Sequence, residues 1–445
     1  MASLEDLEAT AEVVQSPKGA RKPIEIEPSL HTVTFEEWKK EINEHFPELW
    51  GATKSCASVI AQLILTDVHN PFCLVLVDAP SSGKTVTLNF FAGIKDLVET
   101  LDSITPASFV SNMAGKSEAQ LQKIDLLPRI KHRVLCTPEM GSMLADGEDD
   151  LRKRMGILTR ILDGEGYKPA SGVNGVRGYE GDYLFMMLGA STPFPLRVWK
   201  SMTGYGHRMF FLSLGTSDPD IDQLVGQLYG DGYKMMQNRC KLATEGFIRG
   251  LWERHKDGVD WDHSKNDRAV ITRISEMATF LSLFRGDIII YKDRDDFGSQ
   301  TSHSKPQIEK PHRINQWLYN FARAHALVCG RDHLTMEDVE PLYDIVESTA
   351  PTPRPDFLRC LIENDGRVSA ADIVRDVNIV RNTAKKEMKK LKSLGVGQIQ
   401  KEGIGGIMED VDDYDSENDN CSDNKKWVFV LDERFKWLLD YKKKK

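Results

Sequence analysis

The sequence predicts an α/β protein: a parallel sheet with helices on both faces, followed by an α-helical lid and a C-terminal winged helix domain. Three observations predict it. Short apolar runs alternate with helical stretches through the first half of the chain. One such run, CLVLV at 73–77, enters a Gly/Ser/Pro loop and then a helix. Near the C-terminus, three helical stretches precede a glycine-rich hairpin and a last apolar strand, WVFVL at 427–431.

Residues 1–30 are rich in Glu, Pro, Ala and Ser without an apolar period and read as a disordered arm. From Thr34, a natural N-cap, Phe35, Trp38, Ile42 and Phe46 recur at helix spacing. A second helix is expected over about 54–68. The all-apolar run 73–77 suits a strand buried on both faces. A helix is expected from Lys84 to about Leu101, and further strands at 107–111, 133–137, 183–189 and 208–213. Helices are expected over 219–256, 270–284 and 313–327, with a polar stretch at 292–308. Thr335 and Asp338 form a near capping box before the helix ending at 349. The C-terminal helices fall at 356–363, 369–375 and 380–393, broken by Gly366 and Asn378. These divide the chain into an arm (1–30), a P-loop core (31–217), a lid (218–350) and a winged helix-turn-helix (351–445).

Composition sets outer limits. Of 445 residues, 40% are apolar and 28% charged, an ordinary globular balance. No apolar run approaches the roughly 18 residues that span a bilayer, and the first residues lack a signal-peptide pattern, so a cytoplasmic protein without membrane contact is expected. Seven scattered cysteines form no CxxC pair, which fits reduced thiols. A net charge of −9 gives no global attraction to nucleic acid, and only local patterning bears on it.

The strongest motif is Asp78-Ala79-Pro80-Ser81-Ser82-Gly83-Lys84-Thr85 between a strand and a helix. Phosphates need a ring of backbone amides at a helix N-terminus, and small residues let the backbone approach. Lys84 would reach the β- and γ-phosphates of ATP, and Thr85 would hold Mg²⁺. The pattern G-x-x-x-x-G-K-[ST] is met except at its first position, where Asp78 stands for Gly. A second carboxylate is needed at the end of a neighbouring strand, and RVLCTPEM (133–140) supplies Glu139 to activate water and support the metal. Pro138 stands where a paired Asp would be. A helix-start carboxylate is the plainer alternative for Glu139.

On VDAPSSGKT, LCTPEM, LGASTP (188–193) and GHRMFFL (206–212) the chain resembles the AAA+ ATPase superfamily over about residues 35–350. The resemblance implies that Ser191 or Thr192 senses the γ-phosphate and that Arg208 enters a neighbouring subunit's site as a finger. A salt bridge is the alternative for Arg208. The stretches 273–286 and 311–339 are similar to the lids of minichromosome-maintenance and MoxR-type ATPases, which implies a second sensor at Arg313. The glycine-rich segment 163–182 reads as a hairpin, where Tyr167, Lys168 and Arg177 would touch DNA or merely form a surface loop.

RNTAKKEMKKLK (381–392) holds six basic residues against one acid. Arg381, Lys385, Lys386, Lys389 and Lys392 are the candidate DNA contacts, as on a recognition helix. A winged helix also docks proteins. Residues 409–423 carry eight acids and no base, an acidic loop within the wing, and the terminal YKKKK would add non-specific phosphate contacts. The expected function is a ring-forming helicase or translocase-like motor of replication or a mobile element, with a hexamer as the expected ring. The rivals are a nucleotide-gated DNA-binding regulator and a MoxR-like remodeller of protein complexes.

Overall fold

The fold is taken from a computed structural model. It describes residues 21–29, 31–111, 115–144, 147–171, 175–215, 221, 224–225, 232–288, 290–295, 298–402, 408–410 and 426–442.

Five parallel strands form the central sheet: β1 (Cys73–Val77), β2 (Val98–Thr100), β3 (Val134–Thr137), β8 (Met186–Ser191) and β9 (Met209–Leu212). Their order is β2-β3-β8-β1-β9. β1 therefore lies inside the sheet, with Cys73 level with Met187 on one side and Met209 on the other. Both faces are covered, as near-continuous apolar strands require. Leu74 and Leu76 pack into one apolar cluster with α1 (Phe35–His45) and α2 (Trp50–Ala61), while Cys73 and Val75 pack into a second. Thr34 and Glu37 cap α1 reciprocally, as the sequence predicts.

Several elements differ from expectation. The helix after the phosphate-type loop, α3 (Lys84–Asn89), stops after six residues, and the chain turns back to make β2. β2 is three residues long, and only its pairing with β3 makes it a strand. The run expected as a strand at 107–111 is instead a helical turn, Pro106–Phe109. Pro106 stands at its first position, and Thr105 and Ser108 cap it. The second helix begins four residues early, at Trp50. The polar stretch after 292 forms a hairpin, β10 (Ile290–Asp295) with β11 (Gly298–His303). Of the expected arm, residues 1–20 and 30 lie outside the described residues. Residues 21–29 are bound to the core: the Arg21 guanidinium donates to Leu65 O at 2.5 Å, and Trp252 Nε1 donates to Ile24 O at 3.2 Å.

The glycine-rich segment after α4 (Glu148–Ile161) is a double ribbon, in keeping with the predicted hairpin. β4 (Gly166–Tyr167) pairs with β7 (Tyr179–Glu180), and β5 (Ala170–Ser171) with β6 (Gly175–Val176). α5 (Leu196–Tyr205) precedes β9. After the sheet come α6 (Gly232–Arg254), α7 (Arg268–Phe284), α8 (His312–Val328) and α9 (Glu340–Ser348). Thr335 and Asp338 make the predicted capping box. Among the described residues, no helix is long and apolar enough to cross a membrane.

The C-terminal part holds α10 (Arg354–Glu363), α11 (Ala370–Val377) and α12 (Arg381–Ser393). An antiparallel sheet packs with them in the order β12 (Arg367–Ser369), β15 (Lys426–Leu431), β13 (Gly397–Glu402), β14 (Met408–Asp410). A single turn, α13 (Leu439–Lys442), follows. Most of the acidic stretch 409–423, from residue 411 on, and Lys443–Lys445 lie outside the described residues.

Candidate functional site

The loop Asp78–Thr85 leaves the C-terminal end of β1. Its first residue is tied in three directions. The Asp78 N–H donates to Ser191 O at 3.4 Å, and its carboxylate accepts from Ala79 N at 2.7 Å and Gly215 N at 3.1 Å. Asp in place of Gly thus anchors the loop to the segment after β9. Ser81 and Gly83 take left-handed conformations, φ 65° and 91°. At Gly83 a Cβ would also stand 2.8 Å from Leu49 Cδ2, so both conformation and space demand glycine. No side chain caps α3, so its first amides are left without intrahelical partners at the positive end of the helix.

Lys84 is 8% exposed. Its Nζ donates to Asp78 O at 2.9 Å, to Ser82 Oγ at 3.1 Å and to Ala79 O. Burial lowers its pKa, and the Asp78 and Glu139 carboxylates oppose that shift. Ala79, Pro80, Ser81 and Thr85 are exposed along the same loop.

Glu139 follows β3, next to β8. The Gly141 N–H donates to Glu139 Oε1 at 3.2 Å. A Cβ at Gly141 would meet that same oxygen at 2.9 Å and Ser191 Oγ at 3.4 Å, so the carboxylate and the hydroxyl face one point. Ser191 is buried and donates to Thr192 O at 2.8 Å, while Thr192 is exposed. The sheet order therefore brings Lys84, Thr85, Glu139, Ser191 and Thr192 to one edge.

Arg208 and Arg313 lie elsewhere. Arg208 precedes Met209, which is level with Cys73, so it sits at the N-terminal edge of the strands. From there to Asp78 is about 17–20 Å at roughly 3.3 Å per residue. Arg208 Nε donates to Asp163 Oδ1 at 2.7 Å. At Gly206 a Cβ would stand 2.9 Å from Arg313 Nη2 and 3.0 Å from Arg208 Nη1, so the two guanidiniums share this glycine. Arg313 pairs with Glu309 and lies over the Trp317 ring. A third arginine, Arg285, joins them through Glu309 Oε2 at 2.6 Å. It is 1% exposed, and burial pushes its pKa down to about 10. Burial also holds the neighbouring His207 well below its ordinary value. Nothing in the sequence marks Arg285, Glu309 or Asp163 as members of this cluster, because their proximity is wholly tertiary.

In the ribbon, Lys168 pairs with Glu180 at 2.9 Å. Tyr167 and Arg177 are half-buried. Tyr179 is buried and donates to Asp125 Oδ2 at 2.8 Å, a structural role.

On α12 the lone acid, Glu387, is buried. It accepts from Arg354 Nε at 2.6 Å, and Arg354 Nη1 donates to Phe284 O at 2.7 Å and Gly286 O at 2.6 Å. Ala384, Met388 and Leu391 form the packed face. Arg381, Lys386 and Lys389 are exposed, and Lys385 and Lys392 are half-buried. The Lys385 and Lys389 ammoniums lie 4.7 and 5.4 Å from the Trp427 ring centre. Removing the acid from the surface leaves a more purely basic exposed face than the sequence count implies. Arg354→Ala should lower stability by about 3 kcal/mol, because buried Glu387 would keep only Lys390, 3.6 Å away, as counter-charge. Chemical denaturation checks this, and Arg354→Met with Glu387→Met should recover part of the loss.

No family model matches this chain, and no curated protein does. Among the solved structures that resemble its fold loosely are the following two. One is described as the SCCmec type IV Cch active helicase, at 11% identity and TM-score 0.40, covering 96% of this chain and 75% of its own. The other is the A-form apo structure of the NrS-1 C-terminal region, at 10% identity and TM-score 0.29, covering 97% and 91%.

Proposed function

We propose that this chain is an AAA+ ATPase that binds Mg·ATP at Asp78–Thr85, assembles as a ring, in the simplest case a hexamer, and acts on DNA as a helicase or translocase-like motor. The observation that carries this reading is the Asp78–Thr85 loop itself: two left-handed residues, an uncapped helix start, and a desolvated Lys84 held by the loop's own carbonyls. Such a donor set fits a polyphosphate. The proposed units are a core (31–217), a lid (218–350) and a winged helix (351–445).

In this reading the amides from Ser81 to Thr85 bind the phosphate chain, and Lys84 exchanges its carbonyl partners for phosphate oxygens. Mg²⁺, held by Thr85 and Glu139, would neutralise charge on the β- and γ-phosphates. Glu139 accepts the proton of the attacking water, and Ser191 or Thr192 orients the γ-phosphate. Arg208 and Arg313 lie at the strand edge opposite their own loop, so a role in hydrolysis would fall at a neighbouring subunit's site and would need Arg208 to leave its pair with Asp163. The test is titration with Mg·ATP, followed by steady-state turnover with and without DNA.

Pro138, in place of a metal-binding Asp, favours one rival: nucleotide binding that only switches assembly. Turnover no higher than in a Lys84→Ala variant would establish that rival.

The exposed face of α12 supports DNA as the partner. Lys386→Ala with Lys389→Ala should reduce the slope of log affinity against log salt by roughly 2, about one for each phosphate no longer neutralised. An unchanged slope would point to a protein partner for the winged helix.

A further inference from the structure

Arg208 is held within its own chain by a carboxylate and a carbonyl. Asp163 Oδ1 accepts from Arg208 Nε at 2.7 Å, and Gly206 O accepts from Arg208 Nη1 at 3.2 Å. The Arg208 side chain is 10% exposed and that of Asp163 29%, against 53% and 77% for Lys168 and Glu180 on the ribbon. An open pair of the second kind is well screened and contributes little, whereas the enclosed pair resists exchange.

The backbone fixes Asp163 in this place. Asp163 follows α4 by two residues, and its N–H donates to Arg160 O at 3.3 Å. The next residue, Gly164, is left-handed at φ 78°, and a Cβ there would stand 2.7 Å from Pro71 Cδ and 2.9 Å from His69 O. The chain is thus pressed between the end of α4 and the segment before β1, which aims the carboxylate at Arg208. Arg313 is held less closely. Its side chain is 32% exposed, and its partner Glu309 also serves Arg285. Three guanidiniums therefore share two carboxylates, and the excess positive charge draws a phosphate.

We propose that Asp163 is a positioning residue that sheathes Arg208. The neighbouring subunit's phosphate must displace this carboxylate before the guanidinium can reach it, so hydrolysis waits until two subunits are fully engaged. The proposal rests on the reading of Arg208 as a finger acting in trans and adds its regulation: a carboxylate of its own chain and a phosphate of the next subunit compete for one guanidinium.

Asp163→Asn in the full chain tests it, because it removes the charge and keeps a hydrogen-bond acceptor in the same place. Steady-state turnover at saturating Mg·ATP should rise by roughly threefold or more, the scale on which one ion pair acts, while Mg·ATP affinity stays within about twofold of wild type. Asp163→Ser, small and neutral, should share the rise, and Asp163→Glu, which keeps the charge, should lack it. The effect must pass through Arg208, so Asp163→Asn with Arg208→Ala should turn over no faster than Arg208→Ala alone. Circular dichroism verifies the fold of each variant. A merely structural pair predicts the reverse: neutral variants that are less stable and no faster. Wild-type protein that hydrolyses ATP, with folded neutral variants no faster than it, overturns the sheath and leaves the ATPase reading standing. A rise that persists without Arg208, a rise in Asp163→Glu, or neutral variants that all fail to fold also overturn it. Absence of turnover in the wild type and in every variant overturns the ATPase reading together with the sheath.

Discussion

Lys84→Ala is expected to reduce ATP turnover by about 10²–10³-fold or more, the scale on which removal of one preorganised donor acts. The side chain is nearly enclosed, so its charge is poorly screened and its attraction for a phosphate oxygen is larger than at an open surface. Without ligand it satisfies two carbonyls and the Ser82 hydroxyl, all within its own loop. Alanine leaves those groups to water and removes the only lysine within the motif. Mg·ATP titration and phosphate release, with circular dichroism to verify the fold, check the prediction. Turnover equal to wild type would remove the chemical basis of the ATPase reading.

Arg208→Ala is expected to lower turnover by about 10³-fold or more while leaving ATP affinity close to wild type, as for a finger acting in trans. Arg208 lies at the strand edge opposite its own loop, so it gains nothing from the nucleotide of its own chain. Mixing Lys84→Ala and Arg208→Ala subunits should therefore restore part of the activity. The intact loop of one would meet the intact arginine of the other. If Arg208 served only its pairing with Asp163, the mixture would stay inactive and the single variant would be destabilised instead. Because Arg313 shares Gly206 with Arg208, Arg313→Ala should behave in the same way.

Much of the local architecture is legible in the sequence. CLVLV, the small-residue loop and the following helix start are contiguous, so strand, turn and helix are each specified within thirteen residues. The caps at Thr34 and Thr335 and the break at Asn378, which is left-handed with φ 55°, follow from side-chain chemistry alone. β2 is not legible: Val98–Thr100 has one buried residue and no alternation to detect, and it is a strand because β3 offers it partners. The short helix at Pro106 reads as a strand because its apolar residues, Phe109 and Val110, satisfy a strand pattern equally well.

The sequence by itself determined the strand, small-residue turn and helix start at 73–85 and the amphipathic faces, because these depend on neighbours a few residues away. Only the tertiary structure decided which distant groups meet. The strand order places Glu139 and Ser191 beside Lys84, sets Arg208 and Arg313 together at the opposite edge, and turns Glu387 inward against Arg354. Such encounters join residues tens to hundreds of positions apart, and no periodicity along the chain encodes them: they are selected by which packing buries the most apolar surface while leaving each buried charge a partner.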